Sequence, residues 1–442
     1  MARKLASIVQ IASCDPIPDT DRLSVATMVG KGWKVVTARD EFKAGDLACY
    51  MEIDSYLPAD DERYAFLRDR CLRRFVSKSG NVLREGLKIK TIKLRGVISQ
   101  GLLMPLDKFP EILARVRDFK PEYVREGCIS DAELVGKVFL VETAEEYNAR
   151  KDKEDSDYCA ENPGIPPPPR MPYITDAEED NEVWRHYCCP LVGADVTKIL
   201  RVEHYDEVKE QLQPVMGNPI CADAMGRFPT DYVPKTDEER IQNLGDWFEK
   251  MKGRVWQVSC KHDGTSCTIS YSKMIDEENP EVVCSRNLRL KPEQADGKIP
   301  VYWQMAKQYD VLNKLKGLSE SVGIEYAVQG EIVGPGINKC KNKEQTYKFL
   351  VFRIYDITHQ KWVNPVDTVK MCETLGLEHV QIVKSNFAFF DEITTMEEAL
   401  KFAEGKTAEG NEREGVVLKT IDALPYASFK IVSNKYLMKQ ED

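Results

Sequence analysis

The sequence predicts an α+β protein of several domains, in which two regions rich in short β-strands flank a polar and proline-rich segment. Its 442 residues are enough for two or three domains of about 100–200 residues each, and an apolar content of 42% is ordinary for globular protein. Strand-like runs separated by Gly, Asp and Pro fill the first region, and strands alternate with helices in the last. We therefore predict domains at residues 1–140, 141–227 and 228–442.

Composition and motif content argue against several classes of protein. No run approaches the ~18 apolar residues of a membrane span, and the first residues lack the apolar core of a signal peptide. We expect an intracellular, cytoplasmic protein without a membrane partner, and we favour a monomer. The thirteen cysteines include no Cys-x-x-Cys pair, which argues against a disulfide framework or a zinc knuckle. His186, Cys188 and Cys189 lie close together, but adjacent cysteines rarely chelate one tetrahedral ion.

Residues 1–140 predict a small antiparallel barrel with a basic face. The strand-like runs are KLASIVQI, LSVATMV, GWKVVTA, DLACYMEI, IKTIKL, GVISQGLLMPL and KVFLVE. The net charge of the chain is −10, yet between Arg63 and Arg95 eleven Lys or Arg stand against two Asp or Glu. Most charge runs are simply solvated, but one this uneven favours a polyanion partner and suits the partly open, OB-like class of barrel. The candidate contacts to RNA or another nucleic acid are Arg73, Arg74, Lys93 and Arg95.

Residues 141–227 predict a linker followed by an insertion. The chain is acidic and polar up to about Glu161, and the proline run NPGIPPPPRMP (Asn162–Pro172) must be extended, because consecutive prolines fix φ and donate no backbone hydrogen bonds. NEVWRHY and YDEVKEQL look helical. We expect this insertion to pack against one of its two neighbours.

Residues 228–442 predict an α+β domain built on antiparallel sheet. Helical periodicity occurs in VYWQMAKQYDVLNKL and MEEALKFAEG. The strand-like runs are VWQVSCK, TSCTISYS, EVVCSRN, EYAVQGEIVG, YKFLVFRIYDI, GVVLKT and ASFKIVS. Charged residues at the ends of several of these runs indicate chemistry.

Lys261, at the end of the run VWQVSCK, is the candidate nucleophile of this domain. A buried ammonium must be paired or lose its proton. A lysine can attack an α-phosphate if neighbouring cations, a metal ion or burial lower its pKa. Arg286, Lys419 and Lys430 are the cations expected to do so, and each could also hold a triphosphate.

Two carboxylates lie within apolar runs of the same domain. Glu331 in VQGEIVG and Glu414 in REGVV would be costly to bury unpaired, and a hard divalent cation or a ribose hydroxyl is the usual partner of such groups. The ring of Phe352 could stack on a base, although a buried Phe is usually part of a core. Each signal is weak alone. The Asp263–Gly264 pair after the lysine is as often only a turn as it is part of a functional site.

The order of these motifs changes the interpretation. Residues 228–442 contain, in this order, Lys-His-Asp-Gly, Ser-Arg-Asn, Gly-Glu-Ile-Val-Gly, Val-Phe-Arg-Ile-Tyr-Asp, Arg-Glu-Gly-Val-Val-Leu-Lys and Phe-Lys-Ile-Val. This ordered set of motifs resembles that of the covalent nucleotidyltransferases: RNA ligases, DNA ligases and mRNA capping enzymes. The resemblance implies that Lys261 attacks the nucleotide α-phosphate and forms a lysyl phosphoramidate while pyrophosphate leaves. The other implied roles are ribose and RNA-end contact at Arg286, ribose and metal-water contact at Glu331, base stacking at Phe352, hydrated-metal binding at Glu414, α-phosphate contact at Lys419 and Lys430, and nucleotide binding at Asp263 and Gly264.

The region before this domain narrows the resemblance to one branch. Only twelve residues follow Lys430, too few for the C-terminal barrel of DNA ligases and capping enzymes. KTIKLRGVISQGLLMPL (Lys90–Leu106) and FPTDYVPKTDEERIQNL (Phe228–Leu244) are similar to the RNA ligase family typified by the Deinococcus and Naegleria enzymes. That resemblance implies an ATP-dependent RNA ligase, with Mg²⁺ or Mn²⁺ as cofactor and RNA or an RNA-containing nicked duplex as partner. Some RNA ligases have a second lysine where this chain has Val432, and whether Lys435 takes over its role stays open.

Two other interpretations remain open at this level. A different covalent nucleotidyltransferase, such as a GTP-dependent capping enzyme or a DNA ligase, would share the motifs. A non-catalytic RNA-binding protein is the second alternative, because LRGVISQG (Leu94–Gly101) also resembles tRNA-binding barrels attached to synthetases. The presence of every charged motif position speaks against it.

Overall fold

The computed structural model describes residues 4–18, 20–112, 144–161, 167, 192–217, 222–244, 247–294, 296–337, 345–408, 410–422 and 426–439. It divides into two compact units, Met1–Leu212 and Gln213–Asp442. Within the described residues no helix is long and apolar enough to cross a membrane. Four features named from the sequence lie outside the described residues: the predicted KVFLVE strand, the predicted NEVWRHY helix, the trio His186, Cys188 and Cys189, and the proline run except Pro167.

The first unit contains the predicted OB-like barrel. Its main sheet has the order β10-β4-β1-β2-β3. Strand β1 pairs with β4 up to Gln10 and with β2 from Ile11 onward, and its register is irregular between Ile11 and Ser13. Such a bulge bends a strand, so β1 serves both sides of the barrel. The described strands are β1 (Ala6–Pro16), β2 (Leu23–Met28), β3 (Lys31–Ala38), β4 (Leu47–Met51), β5 (Ser55–Pro58), β6 (Leu72–Val76), β7 (Val82–Lys88), β8 (Thr91–Leu94), β9 (Val97–Gln100), β10 (Leu102–Pro105) and β11 (Glu203–His204).

A second sheet of this unit, in the order β11-β5-β7-β6, carries much of the basic run. The segment from residue 192, predicted as part of an insertion, packs within this unit. Ile8 donates its N–H to Ala194 O at 3.0 Å, and Thr197 Oγ1 accepts the N–H groups of Leu5 and Ala6. The helices are α1 (Arg68–Cys71), α2 (Ala144–Glu161) and α3 (Tyr205–Leu212), the last within the predicted YDEVKEQL, with 3₁₀ turns at Glu62–Leu67 and Leu106–Lys108.

The second unit is built on two antiparallel-rich sheets, as predicted. A seven-stranded sheet has the order β12-β17-β16-β15-β18-β19-β20, and a five-stranded sheet has the order β13-β23-β22-β14-β21. The strands are β12 (Ala224–Arg227), β13 (Glu239–Arg240), β14 (Trp256–Lys261), β15 (Thr265–Tyr271), β16 (Glu281–Cys284), β17 (Leu288–Leu290), β18 (Tyr326–Val333), β19 (Lys348–Asp356), β20 (Lys361–Trp362), β21 (Ile382–Phe387), β22 (Gly415–Thr420) and β23 (Ser428–Val432). Strand β12, which lies before the predicted boundary at residue 228, pairs with β17.

Helices cover both sheets of this unit. The run VYWQMAKQYDVLNKL forms two helices rather than one, because Asp310 between them has a positive φ of 50°. Trp303, Met305 and Leu315 from this pair pack into the core of the seven-stranded sheet. The helices are α4 (Trp247–Lys250), α5 (Val301–Gln308), α6 (Val311–Val322), α7 (Pro365–Leu375), α8 (Phe389–Glu392), α9 (Met396–Ala403) and α10 (Asn434–Lys439), with a 3₁₀ turn at Ile241–Asn243.

Candidate active site

Lysines from three neighbouring strands lie on one face of the five-stranded sheet. In an antiparallel pair, opposed residues have their side chains on the same face, as do residues two apart along a strand. Ser259 of β14 is opposite Val417 of β22, which is in turn opposite Lys430 of β23. Lys261 lies two residues after Ser259, and Lys419 lies two residues after Val417. The register therefore places all three lysines on the same face.

A cavity of about 280 Å³ is lined by this face and by residues of the seven-stranded sheet. Its volume is close to the lower end of the ~300–1,000 Å³ range of small-molecule sites. Asp263 and Glu414 are not among the residues that line it: Asp263 accepts a hydrogen bond from Tyr436 Oη, and Glu414 accepts one from Lys261, which does line the cavity. The predicted site residues that line the cavity are Lys261, Gly264, Arg286, Glu331, Phe352, Lys419 and Lys430.

Carboxylates surround Lys261. Its Nζ donates to Glu414 Oε2 at 2.7 Å, and the two side chains are 27% and 15% exposed. Burial alone would lower the pKa of Lys261, but the charges of Glu414, Glu331 and Asp263 outweigh it and raise that pKa above its ordinary value. The expectation that cationic neighbours lower this pKa is therefore wrong for the arrangement observed. Engaging those carboxylates elsewhere would favour the neutral, nucleophilic amine.

The turn after Lys261 fixes Glu331. The N–H of Gly264 donates to Glu331 Oε1 at 3.1 Å. A Cβ at this position would lie 2.3 Å from Ile332 O and 2.7 Å from Glu331 Cγ, so only glycine allows the turn to approach β18 so closely. Burial raises the pKa of Glu331 to about 8 despite the opposing charge of Lys261. Glu331 is thus a half-buried carboxyl that gains from a nearby cation.

The carboxylates of this cavity suit a hydrated divalent cation. Glu331 and Glu414 both act on Lys261, and carboxylate oxygens are the ligands that Mg²⁺ and Mn²⁺ prefer. No group of three or more His, Cys, Asp or Glu in the described part of the chain is placed to hold a metal ion directly. A cation held by these two residues alone would keep several of its water ligands.

Lys419 lies deep beside Phe352. Its side chain is only 2% exposed, its Nζ donates to Phe352 O, and the same nitrogen is 5.7 Å from the centre of the Phe352 ring. Burial, reinforced by repulsion from Arg353, lowers the pKa of Lys419 to about 7. An anion beside this nitrogen would restore its charge, which suits a phosphate contact.

Arg353 is a buried cation next to the stacking position. It is 6% exposed, and its guanidinium lies 4.1 Å from the centre of the Trp362 ring and 4.5 Å from that of Tyr426. Its Nη1 is 3.6 Å from Glu238 Oε1, and Glu238 lines the cavity. Arg353 was not predicted as a site residue, because an arginine inside an apolar strand gives no indication of its partners.

Asp237 and Glu238 are cavity residues that the sequence analysis missed. Lys430 Nζ donates to Asp237 Oδ1 at 2.7 Å, and Arg286 Nη2 is 3.7 Å from Asp237 Oδ2. Strand β13 pairs in parallel with β23, with Arg240 opposite Lys430, which brings the preceding acidic residues to the cavity. The signal was the acidic run in FPTDYVPKTDEERIQNL, which had been used only as a family signature.

Lys435 lies apart from the cavity lining. Its side chain is 57% exposed and its Nζ is 3.1 Å from Glu412 Oε1. Val432 is 3% exposed and lies opposite Gly415 across the β22–β23 pair. The structure therefore gives no support to Lys435 as a replacement for the lysine absent at Val432.

The basic run of the first unit is partly neutralised by carboxylates. Arg74 Nε lies 3.0 Å from Glu85 Oε2, and Arg84 pairs with Glu203, which comes from far along the chain. Arg73 is half-buried and donates to Leu72 O at 2.7 Å. Lys93 and Arg95 are exposed at the β8–β9 hairpin, whose two-residue turn has positive φ at Arg95 (47°) and Gly96 (86°).

Comparisons with known proteins agree with this architecture. Residues 254–437 match the RNA ligase family model, and residues 5–106 match an OB-fold domain model. The chain is similar to Naegleria gruberi RNA ligase, in a mutant solved with ATP and manganese and in a structure with pyrophosphate, each at 27% identity and a TM-score of 0.67 over 100% of both chains. A further mutant structure of that ligase, with AMP and manganese, matches at 26% identity and 0.67 over 100% of both chains. No curated protein matches the sequence.

Proposed function

We propose that this chain, in which an OB-fold domain precedes an RNA ligase domain, joins RNA ends with ATP through a lysyl-AMP intermediate. The observation that carries the proposal is the cavity in which Lys261, paired with Glu414, lies with two further lysines, an arginine and three carboxylates. Structures of the similar Naegleria gruberi ligase with ATP, AMP, pyrophosphate and manganese support ATP and a divalent cation as its cofactors.

In the first step, Lys261 Nζ attacks the α-phosphate of ATP. A nitrogen–phosphorus bond forms, the bond from the α-phosphate to pyrophosphate breaks, and the amine gives up a proton. Lys419 and Lys430 neutralise charge on the α-phosphate, and Phe352 stacks on the base. A hydrated Mg²⁺ or Mn²⁺ held by Glu331 and Glu414 would supply positive charge beside that phosphate and lower the pKa of the lysine.

In the later steps, the RNA 5′-phosphate attacks the lysyl-AMP phosphorus and takes AMP from Lys261. The RNA 3′-hydroxyl then attacks the activated 5′-phosphate, so that the phosphodiester forms and AMP leaves. Arg286 lines the cavity and its side chain is 54% exposed. It is therefore suited to contact both the nucleotide ribose and the RNA end.

The substrate we propose is a nick in a duplex whose 3′-hydroxyl strand is RNA. Lys93 and Arg95 belong to a unit different from the one that holds the cavity. A nick offers duplex phosphates on both sides of the strand ends, and phosphate contacts fix the position of a nucleic acid without reading its sequence. Arg286 is the candidate sensor of the terminal ribose.

Two assays test this proposal. Incubation with ATP or GTP labelled at the α-phosphate, followed by denaturing electrophoresis, should label the protein from ATP only, whereas labelling from GTP would indicate a capping enzyme. Joining should then be compared for a nick with an RNA 3′-hydroxyl strand, the same nick with a DNA 3′-hydroxyl strand, and free single strands. Faster joining of single strands, or equal joining of both nicks, would contradict the substrate while leaving the ligase assignment intact.

A further inference from the structure

Asp237 places a carboxylate among the cations that we propose for phosphate binding. Its Oδ1 accepts a hydrogen bond from Lys430 Nζ at 2.7 Å, and its Oδ2 is 3.7 Å from Arg286 Nη2. All three residues line the same cavity. One carboxylate therefore contacts both cations with its two oxygens, as a phosphate group could.

The exposure of these groups shows which of them can move away. Lys430 is 18% exposed, whereas Asp237 is 60% exposed and Arg286 is 54% exposed. An ionised carboxylate and a phosphate bind the same cationic donors, and two anions repel each other at one position. A nucleotide phosphate that contacts Lys430 must therefore displace the side chain of Asp237, which can turn toward solvent at low cost.

We propose that Asp237 is an internal competitor for the nucleotide phosphates. It holds Lys430 and Arg286 before the nucleotide binds, leaves them when the α-phosphate arrives, and returns to them when AMP departs. The inference rests on the proposed function, because it takes this cavity to be the nucleotide site. Its consequence is weaker retention of free AMP, which favours release of this product after the phosphodiester has formed.

The expected effect is modest, because exposed ion pairs are weak. Such pairs contribute little to stability, and replacing the competing carboxylate by an amide should tighten phosphate binding by about two- to five-fold. Asp237→Asn keeps the size of the side chain and removes its charge. Asp237→Glu keeps the charge and should keep the affinity of the unaltered protein.

The test is the dissociation constant of AMP for the full chain. It is measured by titration calorimetry at fixed magnesium and ionic strength, because exposed charges are screened by salt. Asp276→Asn is the matched control: Asp276 pairs with Arg289 at 2.7 Å in the same unit but does not line the cavity. We expect tighter binding in Asp237→Asn, with Asp237→Glu and Asp276→Asn unchanged.

Several outcomes would overturn the proposal. They are an unchanged or weaker affinity in Asp237→Asn, equal tightening in Asp276→Asn, or no AMP binding in any of the proteins. Asp237→Ala is a second variant that must shift the affinity in the same direction, and thermal unfolding checks that each variant is folded. Tighter AMP binding in a chain that is never labelled by ATP would support the competitor and refute the lysyl-AMP chemistry alone.

Discussion

Replacing Arg353 by methionine tests whether the walls of the cavity depend on one buried cation. Arg353 is 6% exposed, stacks between the rings of Trp362 and Tyr426, and lies 3.6 Å from Glu238, which is itself only 15% exposed. Methionine has similar length and fills the same space, but it has no charge and no donors. The change therefore leaves Glu238 buried without its cation.

The magnitude follows from these contacts. A desolvated cation–π contact is worth up to ~2 kcal/mol, and breaking a buried ion pair by removing one partner costs about 3–5 kcal/mol. Since the guanidinium no longer needs to be desolvated, we expect a net loss of about 3–5 kcal/mol in the free energy of unfolding. Arg353→Lys keeps the charge but loses the planar stacking, so its loss should be smaller. Adding Glu238→Gln to Arg353→Met should recover part of the stability.

The assay is guanidinium unfolding of the full chain, with the midpoint and the slope m fitted for each variant. A shift of midpoint at constant m reports stability, whereas a change in m reports a different unfolded or native state. If the free energy of unfolding of Arg353→Met lies within ~0.5 kcal/mol of that of the unaltered protein, the usual range for surface substitutions, the cavity wall does not depend on this cation. Equal losses in Arg353→Met and Arg353→Lys would also contradict that dependence, because the charge would then have no role.

Three further predictions concern charge. The pKa of Lys419 is lowered to about 7 from an ordinary 10.5, so the folded chain binds fewer protons than the unfolded chain between these two pH values, and the stability of the protein rises with pH there. Lys419→Met should therefore reduce the gain in melting temperature over that pH interval. An unchanged gain would contradict the lowered pKa of Lys419. Because the pKa of Lys261 is raised, the initial rate of self-adenylylation should rise with pH. Saturating manganese should move this pH–rate profile to lower pH. A pH–rate profile that does not respond to manganese would argue that the carboxylates around Lys261 do not bind the metal. Charge reversal at Lys93 and Arg95 should lower the salt dependence of RNA binding: the slope of the logarithm of the binding constant against the logarithm of salt concentration falls by ~0.9 per lost phosphate contact on duplex. Reversal at Arg74, which already pairs with Glu85, should have a smaller effect. Equal effects would contradict the β8–β9 hairpin as the surface that contacts RNA.

Sequence motifs pointed to seven residues that line the cavity, because most of them are charged residues within otherwise apolar runs. Lys261, Glu331 and Lys430 stand out as charges within apolar runs, which are costly unless partnered. The motifs do not give the strand register, and the register is what places Lys419 and Lys430 on the face of Lys261. The partners of Lys261 are likewise tertiary, so the direction of its pKa shift did not follow from the sequence.

Secondary structure was predictable to different extents along the chain. Helix α7 has the local signals of a helix start and a helix end: Asn364 accepts the N–H of Val366, Pro365 begins the helix, and Gly376 ends it with a positive φ of 58°. The search for apolar periodicity alone did not reveal this helix. Strands β6 and β7 were missed because their charged, exposed residues hide the alternation typical of a strand. The pairing of Arg84 with Glu203 spans 119 residues, a separation that no local pattern reports.

The central claim is that Lys261 carries the nucleotide between ATP and RNA. The most direct measurement is peptide mapping by mass spectrometry of the full chain after incubation with ATP and manganese and removal of free nucleotide. We expect one AMP group, on the peptide that contains Lys261, which is lost on addition of a 5′-phosphorylated nick and is not formed in Lys261→Arg. An AMP group on another residue, or an undiminished adduct in Lys261→Arg, would contradict the central claim.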